Sequence, residues 1–420
     1  MTEVIVAGGG LAGLVAARHL ADAGLDVTVF ERHEDIGGRV RTEHRDGFTL
    51  DRGFQVLFTS YPAVQEELDL DALDLRAFRP GAILAKSGER STLADPLRDP
   101  KALLPSLLNR DVSFADKLHT FKLRREMRRK PIADVLTEDH ESIEDRLREL
   151  GFSERFRERF AAPFYGGITL DRSLSTSRLV FEYTFKMLST GKTAVPSQGM
   201  GAIPEQLADF ARDAGATIET GRPVASLTQG NEGVECVVGG ETISADGAVV
   251  ATDPKNARGL TDCDSIPAGG DGCVTQYFSL PETQALRTGG RLILNTVDDR
   301  PNQVAPMSAV APEYAPDGEQ LLSATFLGTP DESDEQVAEE VRQSLASWYP
   351  EHNFGGLALL ETHRIPFAQF AQPPGFRENL PGVDAPEGPV YLAGEFTEWS
   401  SIQGAMESGR AAARVAAREL

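Results

Sequence analysis

The chain opens on an apolar run, Val4-Ile5-Val6-Ala7, then a glycine cluster, Gly8-Gly9-Gly10-Leu11-Ala12-Gly13, then a stretch from Leu14 to Ala23 with apolar residues at helical spacing. A second strand pattern, Asp26 to Phe30, ends on Glu31. Residues 1 to about 60 therefore read as a β-α-β unit followed by a glycine-rich loop. From about 95 to 190 the pattern is helical. Ser113-x-x-Asp116 opens one helix with Phe114, Leu118 and Phe121 on a face, and Ser142-x-x-Asp145 opens another that stops at Gly151. Strand patterns return at Ala216 to Ile218, Gly233 to Val238 and Ala248 to Ala251. Residues 270 to 330 mix short strands with turns rich in Gly and Pro, and Asp334 to Trp348 is an acidic amphipathic helix. The last thirty residues give a strand, Val390 to Ala393, a loop, and an alanine-rich helix. No internal repeat or low-complexity tract interrupts this order.

The first glycine cluster carries the first chemistry. A strand, G-x-G-x-x-G, a helix and an acid at the end of the next strand together predict a dinucleotide site. Gly8 permits the tight turn, Gly10 lets a diphosphate approach the backbone, and Gly13 lets helix pack on strand. The helix start, with Leu11 and Ala12, faces the phosphates, and Glu31 is placed to accept from a ribose hydroxyl.

Composition narrows the partners. A net charge of −22 over 420 residues argues against nucleic acid and against simple electrostatic adhesion to anionic lipid. Only eight of the 42 basic residues are lysines, a balance resembling proteins of salt-loving organisms or an ordinary acidic bacterial protein. Cys236, Cys263 and Cys273 follow no metal-ligand spacing, so no metal site is expected and a reducing cytoplasm is the natural home. No signal peptide or membrane-spanning run is expected either.

Further constellations follow. Ile36-Gly37-Gly38-Arg39-Val40-Arg41-Thr42 brings paired glycines and a cation, Arg39, beside the first loop, and Arg32 follows Glu31 directly. Asp51-Arg52-Gly53-Phe54-Gln55 supplies a small residue where backbone can lie along a flat ring. With the first loop, these resemble the opening of the flavin-containing amine oxidase superfamily, which includes monoamine oxidases, protoporphyrinogen oxidases and phytoene desaturases. The segment Ala194 to Pro204, the strand end at Ala251-Thr252-Asp253-Pro254 and the block from Tyr391 to Arg410 resemble the same family.

The resemblance implies an α/β architecture: a Rossmann-like FAD domain from segments 1–60, 195–265 and 385–420, and an α+β substrate domain from 61–194 and 266–384. It implies that FAD meets Gly8, Gly10, Leu11, Ala12, Gly13, Glu31, Arg32, Gly38, Arg39, Gly53, Phe54, Gln55 and Ala251. Val224 would clasp the adenine, Gly394 and Glu395 the ribityl chain, and the amides of Ile402 and Gln403 the pyrimidine edge. No cysteine lies between Glu398 and Gln403, so non-covalent FAD is expected, and without a second G-x-G-x-x-G direct reduction by a nicotinamide cofactor has no warrant.

On the substrate side, the segments Phe160 to Ser177 and His363 to Gly375 resemble protoporphyrinogen oxidase and carotenoid desaturase relatives. Phe164, Tyr165, Phe367, Phe370 and Trp399 are candidates for the wall of an apolar or planar substrate, with core packing as the alternative for each. Arg52, Lys192 and Arg364 are the cations expected nearest the ring, and His363 is a weaker candidate for a base. The expected reaction is dehydrogenation of an isoprenoid, carotenoid-like or tetrapyrrole substrate, with oxygen or a quinone as electron acceptor. Amine oxidation, a flavin-dependent isomerase and a non-catalytic binding protein on the same fold remain alternatives. Residues 114–130 form a basic helix, Lys117 to Lys130, whose other face is Phe114, Leu118 and Phe121. Such a helix can pair with an acidic surface or lie peripherally on a membrane.

Overall fold

The structure is a computed structural model, and it describes residues 1–94, 111–137, 140–230 and 233–420. The helical expectation for 95–110 lies outside the described residues.

Five parallel strands form the first sheet, in the order Thr217–Glu219, Asp26–Phe30, Glu3–Ala7, Gly247–Val250, Val390–Leu392. The central strands are apolar on both faces because helices cover both. The helix Leu11–Asp22 packs against the last helix, Ile402–Glu419. Contact is close enough that a Cβ on Gly409 would lie 2.3 Å from the Ala12 carbonyl oxygen. The first helix begins at Leu11 rather than Leu14, since Leu11 and Ala12 are themselves buried in its first turn.

A seven-stranded sheet forms the second layer, in the order Ala358–Phe370, Gly270–Pro281, Glu319–Leu327, Gln303–Ala305, Leu292–Asn295, Ala82–Lys86, Glu89–Leu93. Between 270 and 330 the expected short strands are Leu292–Asn295 and Gln303–Ala305, joined by two long ones, Gly270–Pro281 and Glu319–Leu327, and the strand Ala358–Phe370 had no expectation at all. Pro366 hid it, and the proline is tolerated because the strand is an edge and Pro366 falls where the register slips. The helix Asp334–Trp348 caps this sheet with Val337, Val341, Leu345 and Trp348 buried.

A helical region packs against the seven-stranded sheet at Ala82, Leu84 and Leu294. The helix Phe114–Arg129 carries a complete capping box from Ser113 and Asp116, and Ser142 caps Ile143–Glu149. Its apolar stripe is corrected by the structure. Phe114, Leu118 and Phe121 face outward with the cations, and Leu123 and Met127 face the core. Among the described residues, no helix is long and apolar enough to cross a membrane.

Candidate functional site

Four parallel strands end at one edge, so Gly8, Glu31, Ala251 and the Gly394-Glu395 turn meet at their carboxyl ends, where open α/β sheets place ligands. Gly8 adopts φ +113°, and a Cβ there would lie 2.5 Å from the Ala251 carbonyl oxygen. A Cβ on Gly13 would lie 2.0 Å from the Gly8 carbonyl oxygen, so turn and helix interlock through backbone alone. Gly10 has open space instead. Gly37 donates to the Gly9 carbonyl at 2.8 Å and Gly38 faces the Gly10 Cα, so the two glycine pairs form one lip. The buried Glu31 carboxylate accepts from the Gly9 amide at 2.8 Å and the His33 amide at 2.9 Å.

Cations gather at this lip. Arg32, Arg41 and Arg52 all act on His33, whose pKa lies below the ordinary value through burial first and then their charge. Burial, then Arg41 and Arg32, likewise holds Arg52 below its ordinary value. Like charges brought together in so acidic a protein form a seat for an anion. The sequence reading gave Arg32 to the cofactor, set Arg39 beside the first loop, expected Arg52 nearest the ring, and gave Arg41 no role. Arg32 also pairs with Asp253 at 3.5 Å, and Arg39 is spent elsewhere, on the Glu395 carboxylate and, at 3.0 Å, on the Ala368 carbonyl.

Glu395 is buried, and its second oxygen, Oε1, has no hydrogen-bond partner among the described residues. Such an atom wants a donor, which a polyhydroxylated chain would supply. Ser401 caps the last helix by accepting from the Gly404 amide at 2.8 Å. The amides of Ile402 and Gln403 start that helix and have no carbonyl one turn earlier to donate to. An open Gly10, an orphaned carboxylate oxygen and free helix-start amides on one edge fit an elongated anionic cofactor with hydroxyls and a polar ring edge. Val224 opens the strand Val224–Gly230, two residues after Arg222, whose amide donates to the Glu31 carbonyl at 2.8 Å.

The Gly53 loop is held from the seven-stranded sheet. Its amide donates to His363 Nδ1 at 3.2 Å, which occupies that nitrogen as an acceptor and leaves it unable to take a proton from substrate. Burial lowers the His363 pKa. The Tyr277 hydroxyl donates to the Asp51 carbonyl at 2.9 Å, and Gln55 Nε2 donates to the Arg39 carbonyl at 2.9 Å. Phe54 packs edge-on to Phe78. Sequence reasoning missed the Asp51 side chain. It is fully buried and takes donors from Thr42 Oγ1 at 2.6 Å, the Met200 amide at 2.8 Å and the Tyr314 hydroxyl at 3.0 Å. Burial still pushes its carboxyl up to about 6.

Two expected cations lie elsewhere. Successive strand residues point to opposite faces. His363 and Ile365 meet Gly53, so Arg364 leaves the other way, to Asp334 at 2.9 Å and the Pro330 carbonyl at 2.6 Å. Lys192 is exposed, tied through its backbone to Thr59. Only Arg52 stays on the Gly53 loop.

A small cleft of about 30 Å³ opens beside the start of the last helix. Tyr61, Ile168, Val180, Tyr183 and Trp399 line it together with Thr184, Gln369, Gln372, Ser400 and Ser401. Trp399 stands edge-on to Tyr183 at 5.0 Å, and the buried Tyr183 hydroxyl has no partner among the described residues. Of the expected wall, Trp399 alone belongs to this cleft. Phe164 and Tyr165 belong to an aromatic ladder outside the cleft: half-buried Phe160 stacks on half-buried Phe164 at 5.3 Å against the core, and buried Tyr165 meets Phe181 at 4.9 Å within it. The four-residue spacing of Phe152, Phe156, Phe160 and Phe164 carries that packing signal in the sequence. Phe367 sits against Gly270, and Phe370 is core, against Phe376 at 6.2 Å.

Known proteins resemble the chain along its length. A phytoene dehydrogenase of Streptomyces griseus is 29% identical over 281 residues, which is 60% of this chain and 54% of that protein. The match thus spans about half the length of that relative. An oxidoreductase of Methanosarcina mazei superposes with a TM-score of 0.74 at 19% identity, covering 97% of this chain and 99% of its own. Putrescine oxidase, solved with putrescine bound, gives a TM-score of 0.72 at 19% identity, covering 99% of each chain. The family model for flavin containing amine oxidoreductases matches residues 11–417, and the chain, a flavin oxidoreductase by that match, belongs to this family.

Proposed function

We propose that the protein binds FAD non-covalently and dehydrogenates a neutral, apolar substrate of the isoprenoid, carotenoid-like or tetrapyrrole kind, with oxygen or a quinone taking up the electrons. The segments 1–60, 195–265 and 385–420 form the FAD domain in this reading, and 61–194 with 266–384 the substrate domain. Gly8 to Gly13 and Gly38 hold the diphosphate, with Arg41, Arg52 and Arg32 supplying charge. Glu31 takes a ribose hydroxyl, Val224 the adenine, and Glu395 Oε1 a ribityl hydroxyl. Bound there, the cofactor supplies a two-electron acceptor for hydride leaving a carbon atom. The Ile402 and Gln403 amides, at a positive helix end, stabilise negative charge at the pyrimidine edge and so favour reduction. Arg39 pairs with the Glu395 carboxylate and holds it in place.

The carrying observation is the cleft. Its described lining holds no carboxylate, ammonium, guanidinium or imidazole, so its side chains orient a neutral substrate rather than trade protons with it. Tyr61, Tyr183 and Trp399 give the apolar wall, and the Tyr183 hydroxyl offers one directed polar contact. The phytoene dehydrogenase relative supports carbon–carbon dehydrogenation in the same direction.

The test is an absorbance spectrum before and after acid precipitation, followed by anaerobic mixing with polyenes, porphyrinogens and amines. A yellow chromophore released to the supernatant and bleached by a polyene or porphyrinogen is expected. Bleaching by amines alone makes the protein an amine oxidase, and activity only with pre-reduced flavin makes it an isomerase. No chromophore, and none gained on adding FAD, leaves a binding protein. Glu395→Gln weakens FAD binding about 10- to 100-fold, or about 1.4 to 2.8 kcal/mol, read by flavin titration.

A further inference from the structure

The helix Phe114–Arg129 carries a face unlike any other described part of the surface. Phe114, Leu118 and Phe121 are 77%, 45% and 52% exposed. They recur at i, i+4 and i+7, so they share one face, and Arg125 continues that stripe. Lys122, Arg128 and Arg129, also exposed, flank it. Apolar and cationic residues are therefore not on opposite faces. Both point outward, divided along the axis, with the first two turns apolar and the last two basic.

The helix is firmly seated on its inner side. Leu123 and Met127 are buried, and the Asp116 carboxylate accepts from the Ser153 amide at 2.7 Å and the Ser153 hydroxyl at 2.8 Å. Lys186 Nζ donates to the Met127 carbonyl at 2.7 Å, and Lys130 pairs with the fully buried Glu182 at 2.9 Å. Glu126, the one exposed acid of the helix, pairs with Arg146.

We propose that this face docks the protein on an anionic bilayer. Phe114, Leu118 and Phe121 enter the boundary between headgroups and acyl chains, and Lys122, Arg125, Arg128 and Arg129 lie against lipid phosphates. Charge complementarity selects the partner. A chain of net charge −22 repels an anionic surface as a whole, but at physiological salt charge acts over about 8 Å, so the local cations decide contact. Nucleic acid would take the cations and leave three apolar side chains in water. A bilayer carries an apolar layer directly beneath its phosphates, matching the axial division of this helix.

The contact has a consequence for the cleft, which rests on the function proposed above. Glu182 and Lys186 lie on the helix Arg178–Thr190, which also gives Val180, Tyr183 and Thr184 to the cleft lining. A lipid-dissolved substrate would then leave the bilayer one helix away from its site.

Flotation of the full chain with vesicles tests the docking without reference to flavin or turnover. At physiological salt the protein is expected to float with phosphatidylglycerol vesicles and not with phosphatidylcholine vesicles. Phe114→Ser/Phe121→Ser and Arg125→Glu/Arg128→Glu/Arg129→Glu should each bind at least about tenfold less, with unchanged melting temperature and flavin content. Wild-type protein that stays with neither vesicle, or variants that float as well as wild type, overturn the proposal. So does a dimer in sedimentation that Phe114→Ser/Phe121→Ser abolishes, since the face then belongs to a second copy. Absence of flavin alone would sink the functional reading and leave the docking result standing.

Discussion

At the edge of the parallel sheet the working surface is backbone, whereas in the cleft beside it the working surface is side chain. Gly8 and Gly13 interlock with Ala251 and each other at distances no Cβ can share, and the groups left open there are amides and one carboxylate oxygen. The cleft wall is built from Tyr61, Tyr183, Gln369 and Trp399, which come from distant parts of the chain and touch only after folding. A backbone site tolerates almost no change of residue, while a side-chain site can change its ligand with little change of fold. A single flavin scaffold can thus serve many substrates.

The largest test of this contrast is Gly8→Ala. At φ +113° and 2.5 Å from a carbonyl oxygen, the new methyl group must displace the Ala251 strand end. A loss of about 3 kcal/mol of stability or more is expected, together with flavin binding, by thermal melting and flavin content. If Gly8→Ala keeps its flavin and its melting temperature, the backbone account of this edge fails.

Asp51, buried two residues before Gly53, gives the next effect. Its carboxyl titrates near 6 in the folded chain against 3.8 in the unfolded one, so the folded state binds the proton more tightly. This group's contribution to stability is full below about pH 3.8 and is lost as pH rises through 6. Asp51→Asn should remove that dependence, a difference of about 2 to 3 kcal/mol between pH 4 and 7 in denaturant titrations compared with wild type. Identical pH profiles for the two proteins would show that Asp51 is not held as described.

The smallest effect separates cleft from ladder. Trp399→Phe is expected to shift KM for the substrate about fivefold with a small change in melting temperature. Phe164→Leu should cost about 1 kcal/mol of stability and leave KM unchanged, because its ring stacks on Phe160 against the edge of the core. The reverse assignment of effects would return Phe164 to the substrate wall.

Legibility followed the same division. The first β-α-β unit, its glycine lip, Glu31 and the Ser113 and Ser142 caps were readable because each is a local requirement written within a few residues. The strand Ala358–Phe370 was not, since Pro366 argues against a strand unless its edge position is known. Arg364 and His363 were both plausible beside the ring, and only strand alternation and the Gly53 contact separate them.

By itself the sequence determined the family, the parallel sheet and the backbone of the cofactor edge, because turn geometry and close approach demand glycine at fixed spacing whatever surrounds them. Tertiary structure alone decided which aromatics line the cleft and which fill the core, and which way the face of the basic helix points. It also decided that Arg39 is engaged by Glu395 while Arg41 joins the cationic seat. Those outcomes depend on contacts between residues far apart in the chain, and a side chain's chemistry carries no record of which neighbour it will meet.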